Sequence, residues 1–278
     1  NYHNDGVIYV ADASRAVGVA TTLLSPEMKP QFLQERREEY AVVRDRINNK
    51  QPKAAKLTYA EAVENRFKPD WNAYQPPVPN QLGIQTITNY PLENLVPYID
   101  WTPFFISWSL AGKFPKILED AVVGEAARDL YAQAQSMLND LVSQNKLDAR
   151  AVFAIYPAAQ VNSDDLEVYA DESRSSVTHI FHHLRQQSDK VTGKPNLSLA
   201  DYIAPKDSKA QDYLGGFTVS IFGAEEMAIE YRAKGDDYSA ILVQSLTDRL
   251  AEAFAEHLHE RIRKEFWGYV PDEQLDNE

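Results

Sequence analysis

The sequence contains no cysteine. This absence excludes disulfide bonds, a thiol nucleophile, a thiolate metal site and an iron–sulfur cluster within these residues. A cysteine-free composition is typical of proteins in a reducing compartment, so we predict a cytoplasmic location. The 278 residues need no cross-links, because a chain of this length can bury a full hydrophobic core.

Long apolar runs and an excess of basic residues are also missing. No stretch approaches the ~20 apolar residues that cross a bilayer, so no membrane span is predicted. The start, Asn1–Gly6, has neither Met nor a basic segment followed by an apolar one, and we expect the sequence to be cut from a longer chain. The formal charge of −13 argues against nucleic acid or an anionic membrane as the main partner.

The common enzyme motifs are absent as well. There is no phosphate loop, dinucleotide-binding glycine motif, Gly-x-Ser-x-Gly elbow or His-Glu-x-x-His pair. The nearest approach to a metal-binding pattern is a set of imidazoles at His179, His182, His183, His257 and His259. Neighbouring residues of a strand point to opposite faces, so ordinary surface or core histidines are favoured over a metal site.

The first fifty residues have the pattern of a strand, a loop and a helix. Val7–Val10 is a short apolar run, and apolar residues at helical spacing follow it over 17–24. One such unit cannot close a sheet, so we predict the last strand and helix of a parallel α/β domain, followed by a charged, solvated helix. Residues 48–56 are polar and contain Pro52. We therefore predict one domain over 1–50 and another over 51–278.

The second domain has the pattern of an α+β fold. Four prolines in Lys68–Asn80 prevent regular structure, while Trp71 and Tyr74 indicate a loop strapped across a domain surface. Thr102 followed by Pro103 predicts a helix start, with the helix ending at Gly112. An amphipathic helix is predicted over 125–142.

An antiparallel meander is predicted over about 150–222, where short β-branched and aromatic runs alternate with polar turns. A long helix is predicted from Asp237 to Trp267. Its apolar residues recur every fourth position, at Leu242, Leu246, Leu250, Phe254, Leu258 and Ile262. Helices flanking a meander make an α+β domain.

Two acidic residues are candidates for a binding site. Asp100 lies two positions before Thr102, where a carboxylate feels the positive end of the following helix. The local pattern alone favours a capping or turn role. Glu252 lies off the apolar stripe of the long helix, and periodicity alone makes it a solvated residue. Its neighbours Ala251 and Ala255 are small, however, and they would let a ligand or another segment approach the helix.

The most distinctive segments of the sequence are Tyr98–Phe105, Trp108–Leu118, His182–Gln187, Leu199–Pro205, Asp248–Glu256 and Trp267–Tyr269. They resemble segments of the activation domain of cobalamin-dependent methionine synthases. The similarity is colinear over nearly the whole chain, and Ala13–Val19 resembles the end of the cobalamin-binding domain that precedes it in that family.

The resemblance implies a C-shaped α+β domain with a twisted antiparallel meander. It also implies that the domain binds S-adenosylmethionine and docks over the cobalamin domain of the same chain. S-adenosylmethionine then supplies a methyl group, and a flavodoxin supplies one electron, to restore methylcobalamin from cob(II)alamin. Asp100 and Glu252 match the family's two ligand-binding carboxylates. Cobalamin would be held by the neighbouring domain, and zinc only by a domain that this sequence does not include.

One departure from the family concerns a stretch Arg-Pro-x-Pro-Gly-Tyr-Pro, which normally follows the Trp-Gly-Tyr segment and contributes to the ligand site. It is not among these residues, so we expect the fragment alone not to be catalytically competent. The alternative is an interaction module that docks flavodoxin or the cobalamin domain without binding a small molecule. For an acidic flavodoxin, the candidate contacts are Arg185, Arg261, Arg263 and Lys264.

Overall fold

A computed structural model describes residues 7–10, 13–49, 57–191 and 193–275. The described residues of 1–60 and 187–194 form one compact unit, and those of 61–186 and 195–278 form a second, larger one. The predicted domain boundary near residue 50 stays a prediction. None of the helices in the described ranges combines the length and the apolar character that a membrane span requires.

The smaller unit is helical. It contains α1 (Ala13–Leu24) and α2 (Lys29–Asn48), and α2 buries only Leu33, as expected for a charged, solvated helix. The predicted strand at residues 7–10 is not formed. A parallel strand needs hydrogen-bonded neighbours, and no strand lies among the unit's described residues; the backbone N–H of Tyr9 donates instead to the Tyr40 hydroxyl, at 2.9 Å.

The larger unit is an α+β domain, as predicted. The five antiparallel strands among its described residues are β1 (Gly83–Tyr90), β2 (Asp148–Val161), β3 (Asp165–Tyr169), β4 (Val177–His182) and β5 (Asp212–Phe222). Its helices, in chain order, are α3 (Tyr59–Glu64, which begins in the smaller unit), α4 (Trp101–Ser107), α5 (Gly124–Ser143), α6 (Ala224–Ala233) and α7 (Asp237–Arg261). A π-helical turn, Ile262–Phe266, continues α7.

Strand β2 is the centre of the sheet. β5 pairs with one edge of β2 over residues 148–158, and the other edge pairs first with β1 and then with β3. β2, β3 and β4 form the predicted meander. β5 pairs with β2 instead of extending the meander. β1 also pairs with β2, and it lies in a segment for which the sequence analysis predicted no strand.

The core lies between one face of the sheet and the helices. Alternate residues of β2 are buried, from Ala149 to Ile155, which is the period of two that a half-covered strand requires. On the helix side, the predicted apolar stripe of α7 is confirmed, and each of its six members is buried. Phe153 of β2 stacks on Phe266 just beyond α7, with ring centroids 4.5 Å apart.

The end of the proline-rich segment lies against the end of α7, in agreement with the predicted loop across a domain surface. The Trp267 indole donates to the Pro77 carbonyl at 3.0 Å, and the Asn80 side-chain amide donates to the Glu265 carbonyl at 2.9 Å. Gly268 has φ 82°, and a Cβ at this position would come within 2.4 Å of the Asn80 amide nitrogen. Glycine is therefore needed where the strap and the helix end meet.

The start of α4 differs from the prediction. Asp100, not Thr102, is the N-cap: its Oδ1 accepts from the Thr102 N–H at 2.9 Å. Aspartate caps a helix as well as threonine does, and the Thr102 hydroxyl instead accepts from the Phe114 N–H at 3.2 Å. The helix ends at Ser107, short of the predicted Gly112, because Ser109 takes a left-handed φ of 62°.

Truncation of the α7 stripe gives a test of this core. We expect Leu246→Ala to lower the free energy of unfolding by about 2–5 kcal/mol, because it opens a cavity at a fully buried position. The control is Ile241→Ala on the same helix, where the side chain is half exposed and the change should stay within about 0.5 kcal/mol. Urea denaturation measures both. Similar small losses at the two positions would contradict this core.

Candidate functional site

Residues 98–108 cross α7 in the antiparallel sense. At one end, the Tyr98 ring lies 4.6 Å from the His257 ring, and its hydroxyl donates to Glu260 at 2.5 Å. At the other end, the Trp108 ring lies 5.3 Å from the Tyr238 ring. The first contact is near the end of α7 and the second near its start. Asp100, two residues after Tyr98, therefore lies along the C-terminal half of α7.

Asp100 is exposed at the start of α4, where its carboxylate caps the helix. The capping role that the local pattern favoured is thus present in the structure. The cap also fixes the position of Asp100 relative to α4.

Glu252 lies on α7 with 64 % of its side chain exposed. Both of its oxygens accept from the Arg249 guanidinium, at 2.5 and 2.8 Å. Glu252 follows Tyr238 by about four helical turns, which places the two residues within about 40° of each other around the helix. Around the helix, however, Glu252 lies about 140° from His257, the α7 residue that contacts the Tyr98 ring. Glu252 and Asp100 therefore share the C-terminal half of α7, but Glu252 does not lie on the side of the helix that Tyr98 contacts. Each candidate carboxylate hydrogen-bonds to a neighbour in its own helix.

A polar cavity of about 540 Å³ lies at the end of α7, beside this crossing. The Tyr90 hydroxyl and His257 Nε2 are 2.6 Å apart in its wall. Burial, together with the hydrogen bond to Glu260, raises the pKa of Tyr98 to about 12. The same hydrogen bond lowers the pKa of Glu260, and burial lowers the pKa of His257. Sequence reasoning missed these pairs, since no local pattern links Tyr98 to a residue 162 positions later.

One of the four candidate flavodoxin contacts is wrong. The side chain of Arg185 is fully buried, and its guanidinium pairs with Asp164 at 2.6 Å and Asp201 at 2.7 Å. It also donates to the Asn196 carbonyl at 2.7 Å. Through these buried ion pairs and hydrogen bonds, Arg185 connects the end of the meander to the following loop. Its side chain cannot reach a partner protein.

The other three candidates are ion-paired with glutamates near the end of α7. The pairs are Arg261 with Glu265, Arg263 with Glu273, and Lys264 with Glu260. Each positive charge is thus matched by a negative one a few ångströms away. These residues therefore do not form the local excess of positive charge that would favour contact with an acidic flavodoxin.

The histidines of the meander do not converge on one site. His182 pairs with Asp165 at 2.6 Å, whereas His179 and His183 line a concavity on the second face of the sheet. Within the described parts of the chain, no three His, Asp or Glu side chains are grouped so that they could hold a metal ion.

The second face of the sheet is concave and largely apolar. The concavity has a volume of about 800 Å³, and its lining includes Ile84, Tyr156, Val168, Phe181 and Leu214. An antiparallel sheet with one covered face usually turns polar residues to the other. An apolar second face indicates a surface that another body covers. The sequence analysis missed this surface, because the pairing that brings these strands side by side joins positions distant in sequence.

The class of protein that these features define is an α+β domain with one sheet face packed on helices and an apolar, concave second face. Residues 91–278 match the family described as vitamin B12 dependent methionine synthase, activation domain. The chain belongs to this family. It is also similar to a solved structure described as the MetH reactivation domain bound to AdoHcy, with 49 % sequence identity and a TM-score of 0.76. That similarity covers 80 % of this chain and 68 % of the other.

The buried Arg185 cluster yields a stability prediction. We expect Arg185→Met to lower the free energy of unfolding by about 3–5 kcal/mol, because it leaves two aspartates in a buried site without their counter-ion. The control, Arg232→Met, removes an exposed pair with Glu225 and should cost less than about 1 kcal/mol. Urea denaturation measures both losses in the free energy of unfolding. Equal losses in the two variants would contradict a stabilising role for the buried Arg185 ion pairs.

The Tyr98–Glu260 bond yields a pH prediction. The folded-state pKa of Tyr98 is raised from 10.0 to about 12. Its contribution to stability is therefore complete below pH 10 and disappears as the pH rises through about 12. We expect Tyr98→Phe to cost about 1 kcal/mol at neutral pH and to approach the parent above pH 12. Urea denaturation across pH 8–12.5 measures this, with the exposed Tyr74→Phe as control. If the difference in unfolding free energy between Tyr98→Phe and the parent did not change with pH, the Tyr98–Glu260 hydrogen bond would be contradicted.

Proposed function

We propose that this chain binds S-adenosylmethionine through Asp100 and Glu252 and serves the reductive methylation of cob(II)alamin in methionine synthase. A flavodoxin-type donor would supply the electron. Cobalamin would be bound by the neighbouring domain of the same protein, of which residues 1–50 form the end. The observation that carries the proposal is the 49 % identity to a reactivation domain described as bound to AdoHcy. The crossing of residues 98–108 over α7 is compatible with it, because Asp100 and Glu252 then lie along the same half of the long helix.

The chemistry of the ligand suits two carboxylates. S-adenosylmethionine carries a sulfonium and an ammonium group, and anionic side chains form charge-assisted contacts with such cations. The similar reactivation domain is described as bound to AdoHcy, the species that remains when S-adenosylmethionine has given up its methyl group. When cobalamin is present, it supplies the methyl acceptor. The task of this chain's residues is to bind the methyl donor and to hold its orientation.

Asp100 and Glu252 are both held in place before a ligand arrives. Asp100 is fixed by the cap of α4, and Glu252 is fixed by Arg249. Neither side chain belongs to the hydrophobic core, so their role in the fold is limited to these local bonds. That combination supports a binding role.

A docking function without a small molecule is the second candidate. The apolar concavity on the second face of the sheet favours it, because such a surface is suited to contact with another domain. The two candidates differ in one property. Only a ligand-binding chain would be protected by S-adenosylmethionine against thermal unfolding.

Single substitutions of the two carboxylates test the proposed site. Asn caps a helix as well as Asp does, so Asp100→Asn removes the charge and keeps the cap. Glu252→Gln likewise keeps the shape of the side chain. We expect each variant to bind S-adenosylmethionine about tenfold to a hundredfold more weakly, with the melting temperature of the free protein nearly unchanged. Calorimetric titration measures the affinity.

The matched control is Glu256→Gln, an exposed acid one turn further along α7, which should bind as tightly as the parent. Parental affinity in both site variants would show that the assignment of Asp100 and Glu252 is wrong, and would leave the family membership intact. If the parent shows neither heat of binding nor thermal protection, the docking function is favoured.

A further inference from the structure

Arg249 and Glu252 form an asymmetric pair on α7. The guanidinium makes two hydrogen bonds to the carboxylate, at 2.5 and 2.8 Å. Only 14 % of the Arg249 side chain is exposed, compared with 64 % for Glu252. The arginine is thus packed into the protein, and the glutamate at the surface is tied to it.

The first consequence concerns order. An exposed glutamate samples several rotamers and loses side-chain entropy when a ligand fixes it. The planar fork of Arg249 holds both carboxylate oxygens in one orientation, which the single ammonium of a lysine cannot do. Part of the entropy cost of ligand binding is therefore already met in the free protein.

The second consequence concerns charge. The pair is neutral as a whole, so a cation placed next to Glu252 is also close to the positive charge of Arg249. The carboxylate still has lone pairs beyond the two that Arg249 occupies, and these can accept hydrogen bonds from a ligand. Glu252 in this state is suited to accept from hydroxyl or ammonium groups. It discriminates little between a charged and an uncharged sulfur.

We infer that Arg249 is a positioning residue, which orders Glu252 and cancels its charge so that the site accepts the sulfonium and thioether forms of the ligand about equally. This inference rests on the proposed function. It assigns Arg249 no contact with the ligand: Arg249 acts through Glu252. A site with this property would bind the methyl donor without excluding the uncharged product from the same contacts.

The test compares the affinities of S-adenosylmethionine and S-adenosylhomocysteine by calorimetric titration of the full chain. In Arg249→Met, Glu252 is disordered but carries an uncompensated charge. We expect the ratio of the two affinities to shift about fivefold toward S-adenosylmethionine, the strength of an exposed charge interaction. Arg249→Lys keeps the positive charge but loses the planar guanidinium that holds both oxygens of Glu252. We expect both affinities to fall together, with the parental ratio.

Two further variants complete the design. Glu252→Gln leaves Arg249 without its partner, so the ratio should move in the opposite direction, toward S-adenosylhomocysteine. This variant tests the same inference if Arg249→Met does not fold. The matched control is Arg261→Met at the end of α7, which removes a similar bidentate pair with Glu265 of the following π-helical turn and should leave the ratio unchanged.

The outcomes separate the two proposals. If the parent binds and the ratio stays the same in Arg249→Met and Glu252→Gln, the inference about Arg249 is overturned and the proposed function stands. A shift in the same direction in both variants would also overturn it. If the parent binds neither ligand, both the proposed function and this inference fail.

Discussion

The long helix α7 is packed on two sides, and the position of the candidate site depends on both contacts. Its apolar stripe is buried against the sheet, while an adjacent face meets residues 98–108 through Tyr98 and Trp108. The first contact fixes the rotation of the helix about its own axis. The second then determines which α7 side chains lie beside the start of α4. The burial of leucines thus sets the position of Glu252, although Glu252 itself is exposed.

Charge in this acidic chain is arranged by pairing. The basic residues near the end of α7 each have a glutamate within a few ångströms, and Arg185 has two buried aspartates. A partly exposed pair such as Arg261–Glu265 contributes little to stability, whereas a buried arginine such as Arg185 holds its surroundings in one arrangement. The buried ion pairs of Arg185 therefore have a structural role. A partner of the domain would have to displace existing pairs at Arg261, Arg263 and Lys264, or dock elsewhere.

The parts of the fold that the sequence predicted are those with local, periodic causes. The stripe of α7, the helix over 125–142 and the meander all follow from the spacing of apolar residues, and the structure confirms them. The choice of Asp100 over Thr102 as cap did not follow, because both residues cap well and the Phe114 backbone decides between them. The buried state of Arg185 and the Tyr98–Glu260 pair depend on contacts distant in sequence. Asp100 and Glu252 as a pair came only from the family resemblance.

Both candidate carboxylates are committed to protein donors in the described structure, and this constrains how a ligand would bind. A ligand does not meet free charges there: it adds to, or competes with, the Thr102 N–H at Asp100 and the guanidinium at Glu252. Exchange of one charge-assisted bond for another yields less free energy than a new bond to an unpaired ion. Such a site favours moderate affinity and a defined orientation. That balance suits the proposed role, in which the domain positions a methyl donor and then releases what remains.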